Sequence, residues 1–181
     1  MIRRFRLALK RFPAAKRGVA AVEFALILPF MALTYLGGFE VMEGISANRQ
    51  VSLSASTVAE IVSQYSTISA SQTMPGILAA STSVLTPFSS NNAVVTVTCI
   101  TIDNTGKATV SWSQAMNGSG RKVGSTITLP AALDVPNTTV IMGETSYNYT
   151  PTVDFLHQGT MTLYSSIYML PRQPGTIALT T

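Results

Sequence analysis

Charge is scarce in this sequence: 11% of its residues are Asp, Glu, Lys or Arg, and it has one cysteine and one histidine. With Cys99 alone, an intrachain disulfide and a cysteine-based metal site are both excluded. Cys99 falls in an alternating apolar run, where a thiol behaves as a small core residue. His157 and Cys99 share no ligand spacing, so zinc has no ligand set and no metal is expected. Acid–base or nucleophilic catalysis needs His, Asp, Glu, Cys or Lys held within hydrogen-bond reach, and here the acids are few and scattered. There is no HExxH pattern, no glycine-rich phosphate loop and no internal repeat. The expectation is a protein that is not an enzyme, with no cofactor and no small-molecule substrate.

Acidic residues are missing altogether from residues 1–17, which hold Arg3, Arg4, Arg6, Lys10, Arg11, Lys16 and Arg17. Those are seven of the twelve basic residues; after Gly18 come five basic and eight acidic side chains, a net charge of −3. A basic leader can bind nucleic acid, but the rest of the chain has no basic face and no interleaving of arginine with aromatics, so no nucleic-acid partner is expected. Directly ahead of a long apolar run, the same charges act as an orientation signal that keeps the N-terminus cytoplasmic and sends the C-terminus out. They also suit contact with anionic lipid. An ordinary secretory signal has a shorter apolar core ending in a small-residue cleavage site; here residues 37–40 pass into further helix-compatible sequence.

The apolar run covers residues 19–39, with Glu23 as its one charge. About 20 apolar residues cross about 30 Å of hydrocarbon, so one transmembrane helix is predicted. A carboxylate inside such a segment is costly and calls for a functional explanation, the alternative being that it lies one turn from the headgroups and snorkels or protonates. Pro29 removes one backbone hydrogen bond from this helix, and Gly37-Gly38 is a second flexible point. Beyond it, Val51, Val58, Ile61, Val62 and Tyr65 recur at helical spacing, which predicts an amphipathic extension over 40–65.

Residues 66–92 are rich in Ser and Thr, with Pro75-Gly76 and Pro87 as breakers, and read as a connector with at most a helical turn over 77–85. The period then changes to two. Residues 93–102 (AVVTVTCITI) alternate as a half-buried strand does, and 103–106 (DNTG) turn the chain into 107–114 (KATVSWSQ), an antiparallel hairpin. Trp112 is expected in the core. Residues 117–120 (NGSG) read as a turn or mobile loop, 125–129 as a short strand and 130–133 as one helical turn. Strands are predicted at 139–149 and 160–169. Asn117, Asn137 and Asn148 each begin an Asn-X-Ser/Thr triplet, a weak signal in a Thr-rich chain. Together these give an α+β fold: a long N-terminal transmembrane helix continuing into an amphipathic helix packed on a small antiparallel β-sheet. The segments are a basic leader (1–18), the transmembrane helix (19–39), its extracytoplasmic extension (40–65), the connector (66–92) and the sheet domain (93–181).

Lys16-Arg17-Gly18 followed by an apolar helix with glutamate at its fifth position, Glu23, resembles the class III signal of type IV pilin-like proteins. The longer stretch GVAAVEFALILP, residues 18–29, with Gly38, Glu40 and the Ala/Ser-rich helix to Ala59, resembles the TadE/TadG-like family of the tight-adherence (Tad, or Flp) pilus machinery. Residues 144–151 and 170–172 resemble the sheet region of longer TadE-like proteins. The resemblance implies a pilin-like fold and a pseudopilin or minor pilin acting in pilus assembly and adhesion. It also implies a prepilin peptidase that cuts between Gly18 and Val19, with Lys16 and Arg17 as leader residues. Glu23 would pair with the N-terminal amine of a neighbouring subunit. The implied partners are that peptidase, other Tad pilins and the inner-membrane secretion platform, and the implied location is the bacterial inner membrane with the sheet domain periplasmic. The chain is longer than small Flp pilins and shorter than TadG-like proteins with an added domain, which favours a TadE-like role. The alternative is an uncleaved single-pass anchor presenting an extracytoplasmic binding domain.

Overall fold

The computed structural model describes residues 18–153, 159–173 and 175–181. The leader with Lys16 and Arg17, and also His157, lie outside the described residues. The class is α+β: a long helix α1 (Val19–Ser63), a short strand β1 (Thr67–Ser69), a helix α2 (Met74–Ser83), then β2 (Ala93–Ile102), β3 (Ala108–Met116), β4 (Thr139–Tyr149), β5 (Met161–Met169) and β6 (Ala178–Thr180). Residues divide into two compact units, Met1–Met42 and Glu43–Thr181.

In the first unit α1 presents large apolar side chains outward, Val22, Phe24, Leu26, Phe30 and Tyr35 among them. The helix is continuous through Pro29. It is long and apolar enough to cross a membrane, and no part of its most apolar stretch is buried. That is compatible with a single-pass membrane anchor.

In the second unit residues 43–63 of the same helix are amphipathic and lie on a four-stranded antiparallel sheet of order β3-β2-β4-β5. Ala47, Val51, Ser54, Ala55, Val58, Ala59 and Val62 are buried, a stripe at spacings of three and four. Small residues dominate it because the helix backbone comes very close to the sheet. At Gly143 of β4, a Cβ atom would stand 2.3 Å from the carbonyl oxygen of Ala55 and 2.9 Å from Val58 Cγ1. Thr145 donates to the Ser54 hydroxyl at 3.2 Å in this buried layer. Val95, Val97, Cys99, Trp112 and Ile141 complete the core beneath Val58 and Val62. The helix closes on the backbone N–H of Arg172, which donates to the Ser63 carbonyl at 2.9 Å and satisfies one of the acceptors a helix end leaves open. The Arg172 side chain also pairs with Glu60. The helix ends at Ser63, so Tyr65, expected on the buried stripe, lies past it and is exposed.

Where composition predicts a connector, the chain is folded. Pro75 sits in the first turn of α2, where a missing N–H costs nothing and the fixed φ favours the helix. Met74, Ile77 and Leu78 then bury against the same core as α1. Trp112 is in the core as expected, and its Nε1–H donates to the Ile177 carbonyl at 2.7 Å, which fixes the C-terminal segment over the sheet. From there β6 pairs in parallel with β1.

The opposite face of the sheet is covered as well, by residues 117–138. Ile127 and Leu129 pack on Ile100, Ile102, Val140 and Met142. The expected strand at 125–129 reduces to a single bridge between Thr126 and Thr109. Because both faces are covered, β2 is buried along nearly its whole length, and Thr98 is as buried as Val97. Alternation of Val with Thr therefore marks two buried faces here, the threonine one satisfied by pairs such as Thr98 with Ser113 at 2.9 Å. The hairpin turn forms as predicted. The Asp103 carboxylate accepts the Thr105 hydroxyl at 2.6 Å and the Lys107 N–H at 2.9 Å, and Gly106 takes φ +82°. Those bonds, the Thr105 hydroxyl foremost, hold the Asp103 carboxyl below its usual range.

Gly143→Ala is expected to destabilise the fold by about 3 kcal/mol, since backbone rather than a yielding side chain opposes the added methyl. Chemical denaturation of the full chain in detergent micelles, followed by Trp112 fluorescence, measures it, and an unchanged midpoint would show that the helix can lift off at no cost. Burial pushes the Cys99 thiol up from 9.0 to about 11. Between those values the unfolded chain has lost a proton that the folded one keeps, so Cys99 makes stability fall as pH rises from 9 to about 11. The Cys99→Ala variant should show a shallower alkaline loss over that window in the same assay.

Candidate functional site

Among the described residues two places stand out beyond packing, and both centre on a carboxylate. The first is the start of α1. Gly18 immediately precedes the helix, and a Cβ there would meet nothing within 4 Å. Val19 is the first helical residue and 56% exposed. Glu23 is the fifth helical residue and is exposed as well. Val19 and Glu23 are i and i+4, one turn apart on the same face of the helix. Glu23 therefore sits within one turn of any new amine that cleavage at Gly18–Val19 would create. Its neighbours on that helix are Val22, Phe24, Leu26 and Ile27, all exposed and apolar. The structure brings Gly18, Val19 and Glu23 together at one helix end; Lys16 and Arg17 lie outside the described residues.

The second place was not singled out from the sequence. Glu144 of β4 lies on the sheet face away from α1 and is 7% exposed. It is in phase with Val140 and Met142, and this phase is the one signal in the sequence that it points into a covered face. Arg121, from the 117–138 segment, binds it with both arms of its guanidinium: Nη2 to Oε1 at 2.6 Å and Nε to Oε2 at 2.9 Å. The Tyr164 hydroxyl of β5 donates to Oε1 at 2.6 Å. Bidentate pairing of this kind is the strong form of a charge-assisted hydrogen bond. Burial, and then the bond to Glu144, raise the Tyr164 phenol above its ordinary value. The bond to Glu144 likewise holds the Arg121 proton more tightly.

Glycines bring Arg121 to its partner. A Cβ at Gly118 would lie 2.5 Å from Val94 Cγ1, and one at Gly120 would lie 2.7 Å from the Ser113 carbonyl oxygen. The Asn117 amide donates to the Ala93 carbonyl at 2.9 Å and to the Ser90 carbonyl at 3.1 Å. The NGSG stretch expected as a turn or mobile loop is thus pressed onto β2 and β3. The Asn117 amide of the first glycosylation triplet is already engaged with the backbone. A small hollow of about 190 Å³ opens beside Arg121, Glu144 and Tyr164. Glu144 accepts three charge-assisted or hydroxyl bonds there, which tie the covering segment to β4 and β5. Among the described residues no group of three or more His, Cys, Asp or Glu is placed to hold a metal ion. Comparison with protein-family models, curated proteins and solved structures finds no match for this chain.

Arg121→Ala leaves the buried Glu144 carboxylate without its cation. Arg121 is itself 39% exposed at the side chain, which tempers the loss to about 2 kcal/mol of unfolding free energy. Glu144→Gln, which keeps the shape and an acceptor for Tyr164, should cost less than Arg121→Ala in the same denaturation assay. Equal and negligible effects from both would show that the segment is held by its apolar contacts alone.

Proposed function

We propose that this chain is a TadE-like pseudopilin or minor pilin of a Tad (Flp) pilus system, inserted in the bacterial inner membrane by residues 19–39. Its leader is cytoplasmic and its sheet unit periplasmic. One observation carries the reading. Gly18, around which a Cβ would meet nothing within 4 Å, opens the apolar stretch 19–39, whose large side chains are exposed and whose one carboxylate, Glu23, lies a single turn from the Gly18–Val19 bond.

Each part of that arrangement suits processing followed by assembly. Glycine offers no side chain to obstruct a protease working at the membrane face. A prepilin peptidase cutting after Gly18 removes all seven leader charges and leaves an α-ammonium on Val19. An unpaired carboxylate in hydrocarbon is expensive, and an ammonium from an adjacent subunit neutralises it and sets subunit register. The exposed apolar helix, stable in lipid, can exchange that lipid for sister helices of the same character. The partners under this reading are the peptidase, the other pilins, the secretion platform and membrane lipid. The sheet unit serves as the assembly and contact module, with no cofactor and no reaction of its own.

Intact-mass measurement of the protein from cells that contain a prepilin peptidase should give a chain beginning at Val19. A chain that keeps its leader would overturn the processing step and favour an uncleaved anchor presenting a binding domain. In the same cells Glu23→Ala should sharply reduce pilus number while the membrane level of the protein holds. Normal piliation would remove the pairing role.

A further inference from the structure

The two edges of the main sheet are treated differently. Along β3 the segment 117–138 covers the edge: the Val110 N–H donates to the Ser125 carbonyl at 3.0 Å, the Gly124 N–H to the Val110 carbonyl at 2.8 Å and the Ile127 N–H to the Ala108 carbonyl at 3.1 Å. The other edge is β5, paired on one side with β4. Among the described residues no backbone hydrogen bond reaches its free side. Its sequence, MTLYSSIYM, has no charge and no proline. Lysine, proline and bulges are the devices by which sheet proteins keep an edge from accepting another strand, and β5 carries no lysine and no proline. Its register with β4 is regular over all nine pairs, so no bulge interrupts the edge.

We propose that β5 is a self-pairing edge, through which two copies of this chain join antiparallel about a two-fold axis at Ser165 and run their sheets together into one. The argument for a second copy rather than another strand is the inward-facing half of β5, Met161, Leu163, Ser165, Ile167 and Met169, which reads nearly the same in both directions. Centred on Ser165, antiparallel pairing of all nine residues sets Met161 against Met169, Leu163 against Ile167 and Ser165 against its own copy on the helix-covered face. On the other face it sets Thr162 against Tyr168 and Tyr164 against Ser166. Every apolar residue of the inner face meets an apolar one, and the polar centre meets itself, which is the self-complementarity a two-fold interface requires. Moving the axis by one residue to keep the faces in phase would put Leu163 or Ile167 opposite Ser165 and shorten the ladder. Met161, Leu163, Ile167 and Met169 are only half-buried in the single chain, so apolar surface remains for the partner strand to cover. Tyr164 braces this strand from within, since its hydroxyl is held by Glu144 of β4. The inference concerns the sheet unit and stands whether or not the chain is a pilin.

Paired strands place directly opposed residues about 4.5–5.5 Å apart at Cα, within the range a disulfide spans. Ser165→Cys in the full chain, in membranes of the expressing cells, should therefore crosslink to itself on mild oxidation and run as a dimer on a non-reducing gel. Thr162→Cys, with its two copies about 20 Å apart in this register, should not. The native chain controls for Cys99, which is fully buried. Dimer yield at Ser165→Cys no greater than at Thr162→Cys would overturn the proposal. A measurement without substitution guards against a misfolded variant. Amide hydrogen exchange of the native chain in micelles should slow at least tenfold in 161–169 as the protein is concentrated, with β2 unchanged. Exchange in β5 that is independent of concentration, as a strand reserved for a different protein would show, would overturn it equally.

Discussion

The approach of the α1 backbone to Gly143 is the constraint on which the folded unit depends. With a carbonyl oxygen 2.3 Å from where a Cβ would stand, the helix and the central strand β4 touch through backbone rather than through interleaved side chains. This geometry demands small residues on the helix, and Ala47, Ser54, Ala55 and Ala59 supply them. It also brings the flanking Val51, Val58 and Val62 deep enough to meet the side chains of both β2 and α2. The depth of the helix in turn sets what the C-terminal segment must do. Arg172 closes the helix end, and Ile177 accepts from Trp112 over the same core. The bond from Arg172 to Ser63, 109 residues apart in sequence, thus depends on a helix position that one glycine permits.

A single helix changes character because its composition changes along its length. Between Val19 and Phe39 the large side chains are apolar and exposed, among them Val22, Phe24, Leu26, Phe30 and Tyr35. From Glu43 onward alanine and serine alternate with valine on a defined stripe. Large residues all round suit a uniform apolar medium, in which every face is equivalent. A stripe of small residues suits one specific neighbour at short range. The helix needs no break to change roles, and it runs unbroken through Pro29 and Gly37-Gly38.

Periodicity made most of this legible beforehand. The strands β2 and β4 have the limits that alternation alone predicts, and the DNTG turn and the buried Trp112 follow from residue type. What was not legible has physical reasons. Pro75-Gly76 reads as a breaker, but proline in a first turn starts a helix as readily as it stops one, so composition predicts a connector with at most a turn where α2 forms. The strands β1 and β6 are three residues each and pair in parallel from opposite ends of the unit, leaving no local pattern to detect. Threonines on β2 were expected to face water, because alternation reports two faces and does not report that residues 117–138 cover the second. Arg121 gave no warning of its role, since the partner of a buried carboxylate is chosen by register and by the glycines that bring the loop down, not by sequence spacing.

The two carboxylates show how far the chain answers its own electrostatic demands. Glu144 is buried, and the chain answers it internally: a guanidinium arrives on a glycine-lined segment, a phenol arrives from the next strand, and together they fill the acceptor sites that burial would otherwise leave costly. Glu23 sits on an apolar helix, and no described residue binds it. A folded protein that satisfies one carboxylate with three bonds has not lost the means to satisfy another. The basic residues that could do so, however, are confined to the leader or placed on the sheet unit, and the helix around Glu23 holds only apolar side chains. Among the described residues none supplies a counter-charge for Glu23. Glu144, with its partners supplied by the loop and the neighbouring strand, thus contributes to folding in a way that Glu23, exposed on an apolar helix, does not.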